Sequence, residues 1–109
     1  MCTVTYIPRQ GGSFILTSNR DEQASRSPQN LSLVEQDGQQ LLFPRDTAAG
    51  GTWIASSDAD RVVCLLNGAF EQHDRQPPYR RSRGLMVLDF FSFEKAEDFF
   101  RNYHFKGME

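Results

Sequence analysis

At 109 residues the chain is the size of one domain. Apolar residues make up 39% and mean hydropathy is −0.55, enough for a core but with no run of membrane-spanning length. Twelve basic and fourteen acidic side chains leave a net charge of −2, which excludes the positive face of a DNA- or RNA-binding domain. The start has no charged region followed by an apolar one, so it is not a secretory signal. Cys2 and Cys64 have neither metal-ligand spacing nor the makings of a disulfide framework. The expectation is a reducing, cytoplasmic setting with no metal and no cofactor. His104 is isolated, and His73 falls in a polar loop as a surface side chain.

Cys2 to Ile7 and Phe14 to Ser18 are rich in Thr, Val, Ile, Tyr and Phe and read as strands. Gln10-Gly11-Gly12-Ser13 supplies the turn, since Gly-Gly suits the positive φ angles of a two-residue hairpin loop. With that loop, paired positions sum to 23. Cys2 then faces Asp21, Asn19 shares their face, and Arg20 points away. A slip of one residue would exchange the faces. Two readings follow: a hairpin with a buried cysteine and a solvated charged end, or a hairpin that delivers Asp21 and Asn19 to a reactive thiol.

Residues 23–30 form a loop. Leu31 to Val34 and Gln40 to Phe43 alternate around Asp37-Gly38 and predict a second hairpin. Pro44 ends its strand, Arg45-Asp46 reads as an ion pair near the bend, and Thr52 to Ser56 resumes as a strand. Gly50-Gly51 and Trp53 have two readings. They form a close backbone approach to a ligand with a tryptophan wall, or a bulged strand entry with a core tryptophan. After a turn at Asp58-Ala59-Asp60, the apolar run Arg61 to Asn67 predicts a strand covered on both faces at the centre of a sheet.

Gly68 to Pro78 is a polar loop. Tyr79-Arg80-Arg81-Ser82-Arg83 is the one basic cluster, either solvated surface or a contact for an anion. Ser82 caps a first helix with the body GLMVLDFF, and Ser92 caps a second. In the second, Phe93, Ala96, Phe99, Phe100 and Tyr103 lie on one helical stripe, which means core packing. So few strands leave that stripe partly uncovered. The expectation is the front portion of a larger domain, or a face covered by a partner such as a second copy in a homodimer.

A cysteine at position 2 has a chemical consequence. Removal of Met1 leaves Cys2 with a free α-amine of pKa near 8, which can serve as base for its own thiol. Asn67, at the end of the apolar run, is placed to donate to a developing oxyanion. Asp21 would orient the amine, and Arg20 would favour the thiolate.

The stretches MCTVTYIP, LTSNRDE, LLFPRDTAAGGTWIA, VCLLNGAFE and PYRRSRG together resemble the NRDE family, the transport and Golgi organisation protein 2-like proteins. The resemblance runs from Met1 to about Phe91. It implies the amino-terminal nucleophile hydrolase fold, an αββα sandwich of two antiparallel sheets between helix layers. Members are commonly longer, which implies that this chain is an N-terminal portion. More distantly, the chain is similar to choloylglycine hydrolases and penicillin V acylases. These too begin Met-Cys-Thr, carry an Arg and Asp at the end of the second strand, and end a later strand in Leu-Asn. That likeness implies Cys2 as nucleophile, Asp21 as amine partner and Asn67 as oxyanion donor, with Arg20 beside them. Those hydrolases separate the Arg and Asp by two residues, whereas Arg20 and Asp21 are adjacent. Their second asparagine and second arginine would lie beyond Glu109.

The functional expectation is a cysteine amidase or acyltransferase for a small amide or acyl substrate, with Asn19, Trp53 and Gly51 on the substrate side. The alternative is a non-catalytic binding or trafficking protein on the same scaffold. For the eukaryotic relatives the resemblance implies Golgi organisation and lipid or haem handling.

Overall fold

The computed structural model describes residues 2–68 and 74–108. His73 and Ala69-Phe70-Glu71 of the VCLLNGAFE stretch lie outside the described residues. The chain is α+β, with two antiparallel sheets and two short α-helices among the described residues. A hairpin of β1 (Thr3–Pro8) and β2 (Phe14–Asn19) makes the smaller sheet. The larger has the order β3 (Leu31–Gln36), β4 (Gln39–Pro44), β5 (Ile54–Ser57), β6 (Arg61–Cys64). Helices α1 (Arg83–Asp89) and α2 (Ala96–Asn102) follow.

The first hairpin differs from expectation by one residue. Its loop is the three-residue 3-10 turn Gln10–Gly12, with Gly11 at φ 75° and Gly12 at φ 78°. Arg9 N–H donates to Ser13 O at 2.8 Å, and the Ser13 hydroxyl donates to Gln10 O at 3.1 Å. The extra loop residue moves the register to Thr3 opposite Asn19 and Val4 opposite Ser18, so paired positions sum to 22. Because side chains alternate with period two, this exchanges faces. Asn19 lies on the face of Thr3, away from Cys2. Continued one step, the register sets Arg20 opposite Cys2.

The second hairpin is as expected. Asp37 (φ 50°) and Gly38 (φ 79°) form its two-residue turn, the left-handed pair that Asp-Gly supplies most readily. Strict alternation then gives the large sheet two unlike faces. Leu41, Phe43 and Ala55 point to one face and are buried with Val87 and Phe91 from the helical layer. Full burial of each large side chain stabilises by roughly 1.5–3 kcal/mol. Gln36 and Gln39 on the same face donate to Leu88 O (2.9 Å) and Phe91 O (2.7 Å), fixing the end of α1 to the sheet. The opposite face exposes Leu31, Leu33, Leu42 and Val62.

β6 is not the sheet's centre. It is shorter than the apolar run and forms one edge of the large sheet, while β4 and β5 occupy the middle. Val62 and Leu66 are exposed. An apolar run records burial potential, not the number of neighbours the strand acquires.

Ser82 caps α1 as expected, its hydroxyl oxygen accepting from Leu85 N–H at 3.3 Å. Ser92 does not cap α2. It closes the 3-10 turn Phe90–Ser92 and donates to Asp37 Oδ2 at 2.6 Å, tying the helical layer to the hairpin tip. The aromatic stripe is split. Phe99 is buried among Phe90, Phe93, Tyr103 and Phe105, whereas Phe100 faces outward. The basic cluster divides its work: Arg80 serves the C-terminal tail and Arg81 serves α1. Arg81 pairs with Asp89, and Arg80 donates to the carbonyls of His104 and Lys106. Asp89 also accepts from the Tyr103 hydroxyl at 2.6 Å. Burial first, then that hydrogen bond, pushes the Tyr103 hydroxyl above its ordinary pKa.

Candidate active site

The open end of the first hairpin meets the entry to β5 and the exit from β6 in a mainly polar cleft of about 360 Å³. The hairpin contributes Cys2, Ser18, Asn19 and Arg20. The β5 entry contributes Gly51, Thr52 and Trp53, and the segment after β6 ends in Asn67. Ser82, Arg83 and Gly84 close it at the start of α1. The structure thus brings Cys2, Arg20, Asn67, Asn19, Trp53 and Gly51 to one cleft. Cys2 is half-buried and Asn67 exposed.

Asp21 reaches the thiol by a different route from the one expected. The strand ends at Asn19, and the main chain turns so that Asp21 N–H donates to Cys2 Sγ at 3.5 Å.

The densest polar structure here was not legible as a site. Asp46 is 4% exposed. Its Oδ1 accepts from Ala48 N–H (2.9 Å) and Ala49 N–H (3.0 Å), and its Oδ2 accepts from Arg26 (2.7 Å) and Arg20 (3.1 Å). Arg26 also pairs with Glu22 at 2.9 Å. Burial works to raise the Asp46 pKa, but the two N–H groups and two guanidinium groups overcome it and hold the carboxyl at about 2. The bond to Asp46 also pushes Arg26 further up. Arg45 is not Asp46's partner; it donates to Gly50 O at 3.0 Å and lies over the Phe43 ring.

The Arg20 guanidinium stacks 4.0 Å from the centroid of the Trp53 ring, so Trp53 is a half-buried cleft wall and not a core residue. The close approach that Gly51 allows is to the protein itself. A Cβ there would stand 2.4 Å from Gly84 C and 2.7 Å from Gly84 O. Thr52 N–H donates to Gly84 O at 3.0 Å across the same contact. Among the described residues no group of three or more His, Cys, Asp or Glu is placed to hold a metal. None of their helices is long and apolar enough to cross a membrane.

Fold and cleft together define an α+β protein whose second-position cysteine opens on a polar cleft between two antiparallel sheets. The family model for Transport and Golgi organisation 2 matches residues 1–107, and the chain belongs to that family. No curated protein and no solved structure matches it significantly.

Proposed function

We propose that this chain is a cysteine amidase or acyltransferase of the amino-terminal nucleophile type, acting on a small amide or acyl substrate. The observation that carries the reading is Cys2 on the cleft wall, its Sγ accepting from Asp21 N–H, with Asn67 on the same cleft. The finer architecture belongs to the same proposal. The large sheet has helices on one face and exposed leucines on the other, the face that a second sheet covers in an αββα sandwich.

On this reading, removal of Met1 frees the α-amine of Cys2, with Asp21 as its partner. The amine takes the thiol proton, and the thiolate attacks the substrate carbonyl carbon. Asn67 donates its amide N–H to the oxyanion. The C–N bond breaks, the leaving amine takes the proton from the α-ammonium group, and a thioester remains on Cys2. Water, or an acceptor amine in acyl transfer, then attacks the thioester and releases the thiol. Trp53 and the edge residues Asn19 and Gly51 flank the substrate, and Arg20 lines the same cleft as the thiol.

The test is a Cys2→Ala variant assayed against a panel of acyl-amides. Loss of turnover in a folded variant supports the reading, and retained turnover overturns it.

A second reading, non-catalytic binding of a lipid or similar apolar ligand, is favoured by one observation. A crevice of about 360 Å³ between the hairpin and the outer face of the large sheet is lined by Phe14, Leu16, Leu31, Leu42, Ile54 and Val62. On that reading a fluorescent fatty-acyl probe binds wild type and Cys2→Ala equally, and a Leu42→Asp substitution weakens it.

A further inference from the structure

The reaction scheme leaves Asp46 without a task, yet two of its four side-chain hydrogen bonds reach back to the segment that continues the first hairpin. The hairpin that carries Cys2 is a sheet of its own, and among the described residues neither of its strands pairs with a strand of the larger one. Trp53 immediately precedes β5 of that larger sheet, and Asn67 follows its β6. Something must therefore hold the open end of the hairpin against them.

Asp46 is built to do so. On one side it is locked into its own loop: Oδ1 accepts from Ala48 and Ala49, Asp46 N–H donates to Gly51 O at 2.8 Å, and Gly50 N–H donates to Asp46 O at 2.9 Å. That loop is seated on α1 through the contact of Gly51 with Gly84. On the other side, Oδ2 accepts from Arg20, which continues the hairpin, and from Arg26 at the end of the strap that follows it.

We propose that Asp46 is a positioning residue: it clamps the Arg20 guanidinium over the Trp53 ring and thereby fixes the Cys2 end of the hairpin at the cleft. The chemistry of the clamp requires a carboxylate. One oxygen serves the loop and the other serves the arginines. An asparagine could keep the first contact, but its NH₂ would face two guanidinium donors with nothing to accept. A lysine at position 20 would keep the charge and lose the planar fork and the stacking. The inference rests on the proposed role of Cys2 for its importance, but its test reads placement without turnover.

Two internal probes make that possible. Trp53 is the only tryptophan, so its fluorescence reports on this site alone, and Cys64 on β6 is a reference thiol that does not line the cleft. Asp46→Asn and Arg20→Lys are compared with wild type by circular dichroism, acrylamide quenching of Trp53 and the relative alkylation rates of Cys2 and Cys64. Loss of the clamp raises the open population at the hairpin end by about fivefold or more. The expected result is increased quenching and a Cys2-to-Cys64 rate ratio raised by about that factor in both variants, with secondary structure retained. Unchanged quenching and an unchanged ratio overturn the proposal, as does an equal rise at both cysteines. If Asp46→Asn does not fold, Arg20→Lys decides alone, since it leaves Asp46 paired with Arg26. Failure of the Cys2→Ala turnover test bears on the reaction and leaves these readouts intact.

Discussion

Arg20 and Asp46 stand 26 positions apart and meet through Nη2 and Oδ2 at 3.1 Å, with the guanidinium stacked on Trp53. The pair joins the end of one sheet to the bend that begins a strand of the other. It ties together two sheets that share no strand pairing among the described residues.

This link should be sensitive to acid. Asp46 titrates at about 2 in the folded chain, below the ordinary value of 3.8. A depressed carboxyl contributes stability that is fully present above its unfolded pKa and is lost as pH falls through the folded one. The pH-dependent part is on the order of 1–2 kcal/mol. Urea unfolding should show wild type more stable than Asp46→Asn at neutral pH, with the difference shrinking between about pH 4 and pH 2. A difference constant across that window contradicts the assignment.

Gly51 and Gly50 are adjacent but should respond differently to alanine. A methyl at Gly51 collides with the backbone of Gly84, which cannot rotate away. Gly50, at φ +74°, meets nothing within 4 Å and suffers only from its left-handed conformation. Gly50→Ala should cost about 1 kcal/mol and Gly51→Ala about 3 kcal/mol, read as urea midpoints. Equal costs would mean that the strand entry is not seated on α1.

Phe99 and Phe100 make a second neighbouring contrast. Phe99 is 4% exposed and Phe100 is 69% exposed. Phe99→Ala should cost about 3–5 kcal/mol, while Phe100→Ala should stay within about 0.5 kcal/mol. A large loss at Phe100 would mean that this face is covered in solution, as in a homodimer, and would depend on protein concentration.

Tyr103, half-buried and donating to Asp89, should ionise later than an ordinary tyrosine in a spectrophotometric titration. Its raised pKa means that its stabilisation is complete below pH 10 and is lost as pH rises through the folded value. Tyr103→Phe should remove that late step and leave the others in place.

Much of this architecture could be read from short-range signals. Asp37-Gly38 specifies a turn by its own backbone preference, and Ser82 caps α1 by reaching three residues ahead. The register of the first hairpin was not legible, because Gly11-Gly12 suits a loop of two or three residues. That single residue decides whether Asn19 or Arg20 shares the face of Cys2. The cleft was partly legible. Cys2, Arg20, Asn67 and Trp53 were named from the sequence and stand on its wall. Asp46 and Arg26 were missed, since a carboxylate that pairs with side chains 20 and 26 positions away leaves no local pattern. The adjacent Arg45 offered a false partner.

The most direct test of the central claim, that Cys2 is an activated N-terminal nucleophile, is intact mass before and after brief alkylation at mildly acidic pH, with the adduct mapped. The account predicts loss of Met1 and labelling of Cys2 well ahead of Cys64. Retained Met1, or a Cys2 no faster than Cys64, would contradict it.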